Sequence, residues 1–188
     1  MKTLRFNPHP EWNNSKSNRY VKGLYDFCEY VSSELTRTHP LKMCEIGSYM
    51  GESTLIFASQ MIFDEIQCID PFEGVEEFNE ISNRDWVDVE QEFKLNTRYF
   101  DHIVLHRDYC ENVADKFENN HFDLVYIDAN HSYEDVKKNI ELFLPKCKTI
   151  ISGHDYQQEW PGVVRAVNEV FGAPDRLFAD GTWMKKLP

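Results

Sequence analysis

From about Asn18 the apolar residues Val21, Leu24, Tyr25, Phe27, Cys28, Val31 and Leu35 recur at the three- and four-residue spacing of an amphipathic helix. That segment ends at His39-Pro40, and a short apolar run, Met43, Cys44 and Ile46, predicts a strand over about 42–46. The run breaks at two glycines four apart, Gly47 and Gly51. The period then turns helical through Leu55, Ile56, Ala58 and Met61, predicting a helix over about 52–62. Further strand signals lie at 66–70, 102–106, 122–128 and 149–152. Helical spacings separate them, through Val113 and Phe117 and through Val136, Ile140, Phe143 and Leu144. Ser132 is placed to cap the second of these, with Asp135 as the capping-box acid. Trp160-Pro161-Gly162 opens a last helix through Val163, Val164, Ala166, Val167, Val170 and Phe171, with Pro in its first turn. Two short strand-like runs, 176–179 and 182–187, flank Asp180-Gly181, a hairpin signal that makes the final strand antiparallel.

Strands alternating with helices predict an α/β domain, a Rossmann-like doubly wound sheet with helices on both faces. Such a sheet binds its ligand just beyond the carboxyl ends of its strands. The chain reads as one domain over 1–188, with residues 1–40 forming a polar lead-in and a helix. That helix suits packing on the sheet or a homodimer contact equally. Residues 72–100 exceed a minimal crossover and are rich in acids and aromatics, so they are expected to form one or two helices. These would either cap the strand tips or make an ordinary solvated acidic helix.

Composition narrows the partners. Lys plus Arg number 20 against 32 Asp plus Glu, a net charge of -12 with no basic patch in view, which argues against a nucleic-acid or membrane-surface partner. Five cysteines without C-x-x-C spacing, two of them in strand runs, point to buried reduced thiols rather than a disulfide or zinc framework. No apolar leader opens the sequence and no run has membrane-spanning length, so a cytoplasmic location is expected.

The first glycine turn carries the first chemical signal. A dinucleotide loop wants G-x-G-x-x-G, whereas here Glu45 ends the strand and Tyr49 stands at the middle glycine of E-x-G-x-Y-x-G. A carboxylate there would repel a pyrophosphate but suits a ligand with an ammonium and a sulfonium. The turn resembles motif I of class I S-adenosylmethionine-dependent methyltransferases, in the E-x-G-x-Y-x-G-x-S form of small O-methyltransferases related to catechol O-methyltransferase. The resemblance implies strand order 3-2-1-4-5-7-6 and a cofactor site at Glu45, Gly47, Ser48, Tyr49, Gly51, Ser53 and Asp128. Asp70, ending the second strand, would accept from ribose hydroxyls or simply cap a turn. Asp108, after the third, would accept from the adenine amine or cap the next helix.

In that order strands four and five are neighbours about 4.8 Å apart, which brings Asp128 beside His154 and Asp155, with His131 a short turn away. Carboxylates and imidazoles so close call for a cation or a working proton. A divalent ion, Mg or Mn, fits Asp128 and Asp155, and His154 as a third ligand favours the softer metals. Asp128-Ala-Asn-His131-Ser-Tyr133-Glu134 and Gly153-His154-Asp155-Tyr156 resemble signatures of a bacterial group of small methyltransferases. That group includes macrolide sugar O-methyltransferases and cephalosporin-associated enzymes. This likeness, spanning about 40–171, implies metal ligation by Asp128 and the 154–155 pair, and His131 as general base, with Asp128 and His154 also in the catalytic set. At His154 the chain departs from metal-dependent relatives, which carry an acid there. Tyr156, Trp160 and Trp86 are candidate walls for the acceptor, a small molecule with a sugar or phenol hydroxyl. Three rivals stand beside this reading: a non-catalytic domain of the same fold, an NAD-linked oxidoreductase, and a metal-dependent hydrolase on the acid–imidazole cluster. The first is disfavoured by the retained cofactor acids and acid–imidazole cluster, the second by the missing glycine and by Glu45. The third has no use for the 44–53 turn.

Overall fold

The computed structural model describes residues 15–73 and 86–188. Residues 1–14 of the lead-in expected over 1–17, residues 74–85 of the expected cap and the side chain of Trp86 lie outside them.

The described elements, in chain order, begin with α1 (Ser15–Glu34), β1 (Lys42–Ile46), α2 (Glu52–Ser59) and β2 (Glu65–Ile69). Next come α3 (Trp86–Thr97), β3 (Ile103–His106), α4 (Cys110–Val113) and β4 (Phe122–Ile127). The remainder is α5 (Tyr133–Phe143), β5 (Cys147–Gly153), α6 (Pro161–Phe171), β6 (Arg176–Leu177) and β7 (Trp183–Lys186). The strands form one sheet of order β3-β2-β1-β4-β5-β7-β6, with β7 antiparallel to both β5 and β6 and the rest parallel.

The central strands are buried on both faces, as a parallel sheet between two helical layers must be. Alternate residues serve opposite layers. Met43, Ile66, Leu124, Tyr126 and Ile150 pack with α1, α2 and α3. Cys44, Ile46, Val125, Ile127 and Ile151 pack with α4, α5 and α6. Phe27 of α1 meets Phe57, Tyr126 and Phe178 at ring-centroid distances of 6.3, 5.8 and 5.3 Å, which docks the first helix on the sheet. All five cysteines are buried thiols outside any disulfide.

Several boundaries differ from the sequence expectation. Helix α2 stops at Ser59, because Met61 takes a left-handed φ of 54° and sits 66% exposed while Ile62 and Phe63 turn back into the core. The helix expected through Val113 and Phe117 is only the four-residue α4 followed by a 3₁₀ turn, Ala114–Lys116. Helix α3, in the region expected as a cap, buries Val89 and Phe93 in the core and donates from Asn96 Nδ2 to the Met50 carbonyl at 2.9 Å. No helix among the described residues is long and apolar enough to cross a membrane.

Candidate active site

The sheet's hydrogen bonding runs one residue past each central strand. Gly47 N–H donates to Ile69 O (2.9 Å), Asp128 N–H to Ile46 O (2.8 Å), His154 N–H to Ile127 O (3.0 Å) and Asp70 N–H to His106 O (3.1 Å). These four residues are therefore fixed in a row along the carboxyl edge, at the switch point between β1 and β4 where such sheets bind ligands.

Above that row the turn after β1 folds back tightly. Gly47 (φ 84°) and Gly51 (φ 77°) take left-handed conformations that glycine adopts freely, and Tyr49 (φ 45°) is drawn into the same region. Glu45 sits beneath the turn, not in it. Fully buried, it accepts from Ser48 Oγ (2.9 Å), Ser53 Oγ (2.6 Å) and Thr54 Oγ1. Burial pushes its carboxyl up to about 7 against those hydroxyls, with the charge of Asp128 adding to the rise. Its oxygens thereby tie the turn to the start of α2, and Glu45 is absent from the cavity wall. Gly51 also stays off the cavity wall, pressed against Phe93 and Thr97 of α3. Glu52, which the sequence reading passed over, takes a place on the wall.

Asp70 faces the cavity and underpins the turn at once. Its Oδ2 accepts from the N–H groups of Ser48 (2.9 Å) and Tyr49 (2.8 Å), and its Oδ1 from Phe72 N–H (2.7 Å). Burial raises its carboxyl and those three donors oppose the rise. A carboxylate offers about four lone-pair sites, so room remains for a ligand hydroxyl. Asp108 also lines the cavity. It is not the N-cap, which is Tyr109; instead its Oδ1 accepts from Asn112 Nδ2 (2.7 Å) and Tyr109 N–H (2.8 Å), which hold the carboxylate below its ordinary range.

The acid–imidazole cluster gathers at β4 and β5. Asp155 is its hub, with a left-handed φ of 59° that turns its carboxylate inward. His131 Nε2 lies 3.0 Å and His154 Nδ1 3.1 Å from Asp155 Oδ2, while Gln157 Nε2 donates to Oδ1 at 2.9 Å. Burial would raise Asp155, but the two imidazoles outweigh it and hold the acid well below the usual carboxylate range. Burial would likewise lower His154, yet Asp128, Asp155 and Asp180 surround it and lift it to about 9. Asp128 is pushed up by burial.

Ligand atoms of Asp128, His131 and Asp155 lie within 4.8 Å of one another, close enough to share a metal ion. The third donor there is His131, where the sequence reading placed His154. His154 sits with Nδ1 3.1 Å from Asp155 and 3.9 Å from Asp128, and with Nε2 3.8 Å from Asp180, in the grip of three acids. The expected aromatic walls move as well. Tyr156 donates its hydroxyl to Asn168 Oδ1 at 2.9 Å, and Trp160 lies over the His131 ring, with neither lining the cavity.

All these tips open on one cavity of about 550 Å³, within the range of small-molecule sites. Its wall holds Gly47, Ser48, Tyr49, Ser53, Asp70, Asp108, Asp128, His131, His154 and Asp155. Eight carboxylates line it against one lysine, Lys138, which is itself paired with Glu111 at 2.6 Å. Asn130, Asn139 and Glu111 also reach the wall, although the sequence analysis did not single them out. An Asn two residues before the capping Ser132, accepting its N–H at 3.0 Å, is the one of these with a readable local signal.

No curated protein matches the chain. Solved structures share its architecture at low identity. The TDP-rhamnose 3'-O-methyltransferase of calicheamicin biosynthesis superposes with a TM-score of 0.62 at 16% identity, over 92% of this chain and 81% of that one. A Corynebacterium glutamicum protein gives 0.59 at 11% identity, over 91% and 88%. An rRNA methylase from Streptococcus thermophilus gives 0.59 at 12% identity, over 88% and 97%. These likenesses show the fold alone. The family profile described as "Methyltransferase domain" matches residues 44–156, from the middle of β1 to just past β5, and the chain belongs to that family.

Proposed function

We propose that the protein is an S-adenosylmethionine-dependent O-methyltransferase acting on a hydroxyl of a small molecule. One observation carries the reading: the glycine turn, Asp70 and Asp108 line the same cavity as the His131–Asp155 pair. Cofactor cradle and proton-handling group thus share one space.

The wall suits the cofactor's parts. Gly47 lets the chain pass close to the β4 tip, Asp70 has acceptor capacity left for a ribose hydroxyl, and Asp108 stands where an exocyclic amine could donate. S-adenosylmethionine supplies an electrophilic methyl group whose reactivity is its own. The chain's share is to position the acceptor and to take one proton. The His131–Asp155 pair, with Nε2 3.0 Å from Oδ2, takes it, and the Asp155 carboxylate stabilises the imidazolium. Asp128 and Asp155, with His131 adjacent, fit a divalent cation by donor type and spacing, and such an ion would supply Lewis acidity toward the acceptor hydroxyl. An acidic wall without an unpaired cation among its described residues favours a neutral or positively charged acceptor over a phosphorylated one.

The test is calorimetric titration with S-adenosylhomocysteine, NAD and Mn²⁺, followed by methyl-label transfer to a panel of sugars and phenols. His131→Ala should lose about a hundredfold or more in turnover while S-adenosylhomocysteine affinity stays within about twofold. Parallel loss of both would make His131 structural, and absence of S-adenosylhomocysteine binding would end the methyltransferase assignment.

A further inference from the structure

We infer that Trp160 is a positioning residue for His131, and that residues 155–162 form a clamp holding the imidazole in its working orientation. The inference rests on His131 being the base of the proposed reaction.

The geometry gives the clamp three contacts. Trp160 lies over the His131 ring with centroids 4.1 Å apart and planes tilted by 37°, so the indole covers one imidazole face. Asp155 holds the ring edge, with Oδ2 3.0 Å from Nε2. Gly162 presses on the backbone of the same residue: a Cβ there would stand 2.4 Å from His131 O and 2.7 Å from Tyr133 N. Face, edge and main chain of His131 are thus gripped from one eight-residue segment.

The segment is itself braced. Trp160 N–H donates to Gln157 O at 3.0 Å, Gln157 Nε2 donates to Asp155 Oδ1 at 2.9 Å, and Val163 N–H donates to Trp160 O at 3.1 Å. The indole that covers the ring and the carboxylate that meets its edge therefore share one hydrogen-bonded turn at the start of α6. An imidazole on a short loop has two free side-chain torsions, and a planar contact on its face together with an ion pair at its edge removes both. Misplacing a reacting group by about 1 Å costs on the order of a hundredfold in rate, which sets the scale of what such a clamp protects.

The test needs no knowledge of the acceptor. In a ¹H–¹³C spectrum of histidine-labelled protein, the His131 ring protons, assigned by their loss in His131→Asn, should be displaced upfield by the indole ring current. Trp160→Leu should abolish that displacement, and Trp160→Phe should retain part of it. With any acceptor found active, Trp160→Leu should lower kcat about tenfold or more while S-adenosylhomocysteine affinity and KM stay within about twofold. Trp160→Phe should recover most of the rate. A folded Trp160→Leu protein with unchanged His131 shifts and unchanged kcat overturns the clamp. Should Trp160→Leu not fold, failure of Trp160→Phe to alter the shifts, together with a wild-type rate for Gly162→Ala, overturns it equally. If His131→Ala itself keeps full turnover, the base assignment falls instead, whatever Trp160 does.

Discussion

Gly47 lies so close to Asp128 that a Cβ on the glycine would stand 2.1 Å from the Asp128 carbonyl oxygen. The β1 and β4 tips are in near contact there, and the cradle on one side and the acid–imidazole cluster on the other keep their spacing through it. Gly47→Ala meets this carbonyl and also a left-handed φ of 84°. The variant should lose about 2 kcal/mol or more of stability and most of its S-adenosylhomocysteine affinity, checked by urea unfolding and calorimetry. Intact binding would separate the turn from the cofactor.

Asp155 meets two imidazoles at once, His131 at 3.0 Å and His154 at 3.1 Å. Asp155→Asn keeps the shape and tolerates the left-handed backbone, but removes the charge. Turnover should fall about a hundredfold with little change in S-adenosylhomocysteine affinity. A comparison of kcat and Kd in the two proteins decides it.

Glu45 should leave a signature in the pH dependence of stability. Its folded carboxyl is raised by burial from 4.5 to about 7, so between those values the unfolded chain releases a proton that the folded one keeps. Ionising the buried group then costs stability as pH rises through this window. Glu45→Gln should remove that decline, on the order of 3 kcal/mol at most, when urea unfolding of both proteins is compared at pH 4.5 and 7.5. Identical slopes would mean that Glu45 does not carry the shift.

Cation binding at Asp128 can be read without turnover. Mn²⁺ should bind the wild-type chain, as followed by loss of its free electron-paramagnetic signal, and Asp128→Asn should weaken that binding about tenfold or more. Retained affinity in the variant would move the cation elsewhere.

Much of this architecture was legible along the chain. Apolar runs separated by helical spacings predict the order of strands and helices, and Asp180-Gly181 predicts the terminal antiparallel strand. The capping of α5 also follows from local pattern, with Ser132 Oγ accepting from Asp135 N–H at 3.1 Å. The less legible parts are those whose partner is distant. Met61 carries a helical spacing but sits exposed in a left-handed turn, because Ile62 and Phe63 compete for the core beyond it. Trp160 is 29 residues from His131, and nothing in either neighbourhood announces that the two rings meet.

The sequence by itself determined which residue types stand at the strand ends, because periodicity and turn chemistry are local properties of consecutive residues. It thereby named Gly47, Asp70, Asp108, Asp128, His131, His154 and Asp155 as one edge. Only the tertiary structure decided what each does there. Glu45 turns inward because three hydroxyls from the next turn and helix meet its carboxylate. His154 is shared between Asp155 at 3.1 Å and Asp180, a residue of the far hairpin, at 3.8 Å, while His131 groups with Asp128 and Asp155. Those outcomes depend on distances between segments far apart in the chain, which packing sets and local pattern does not encode.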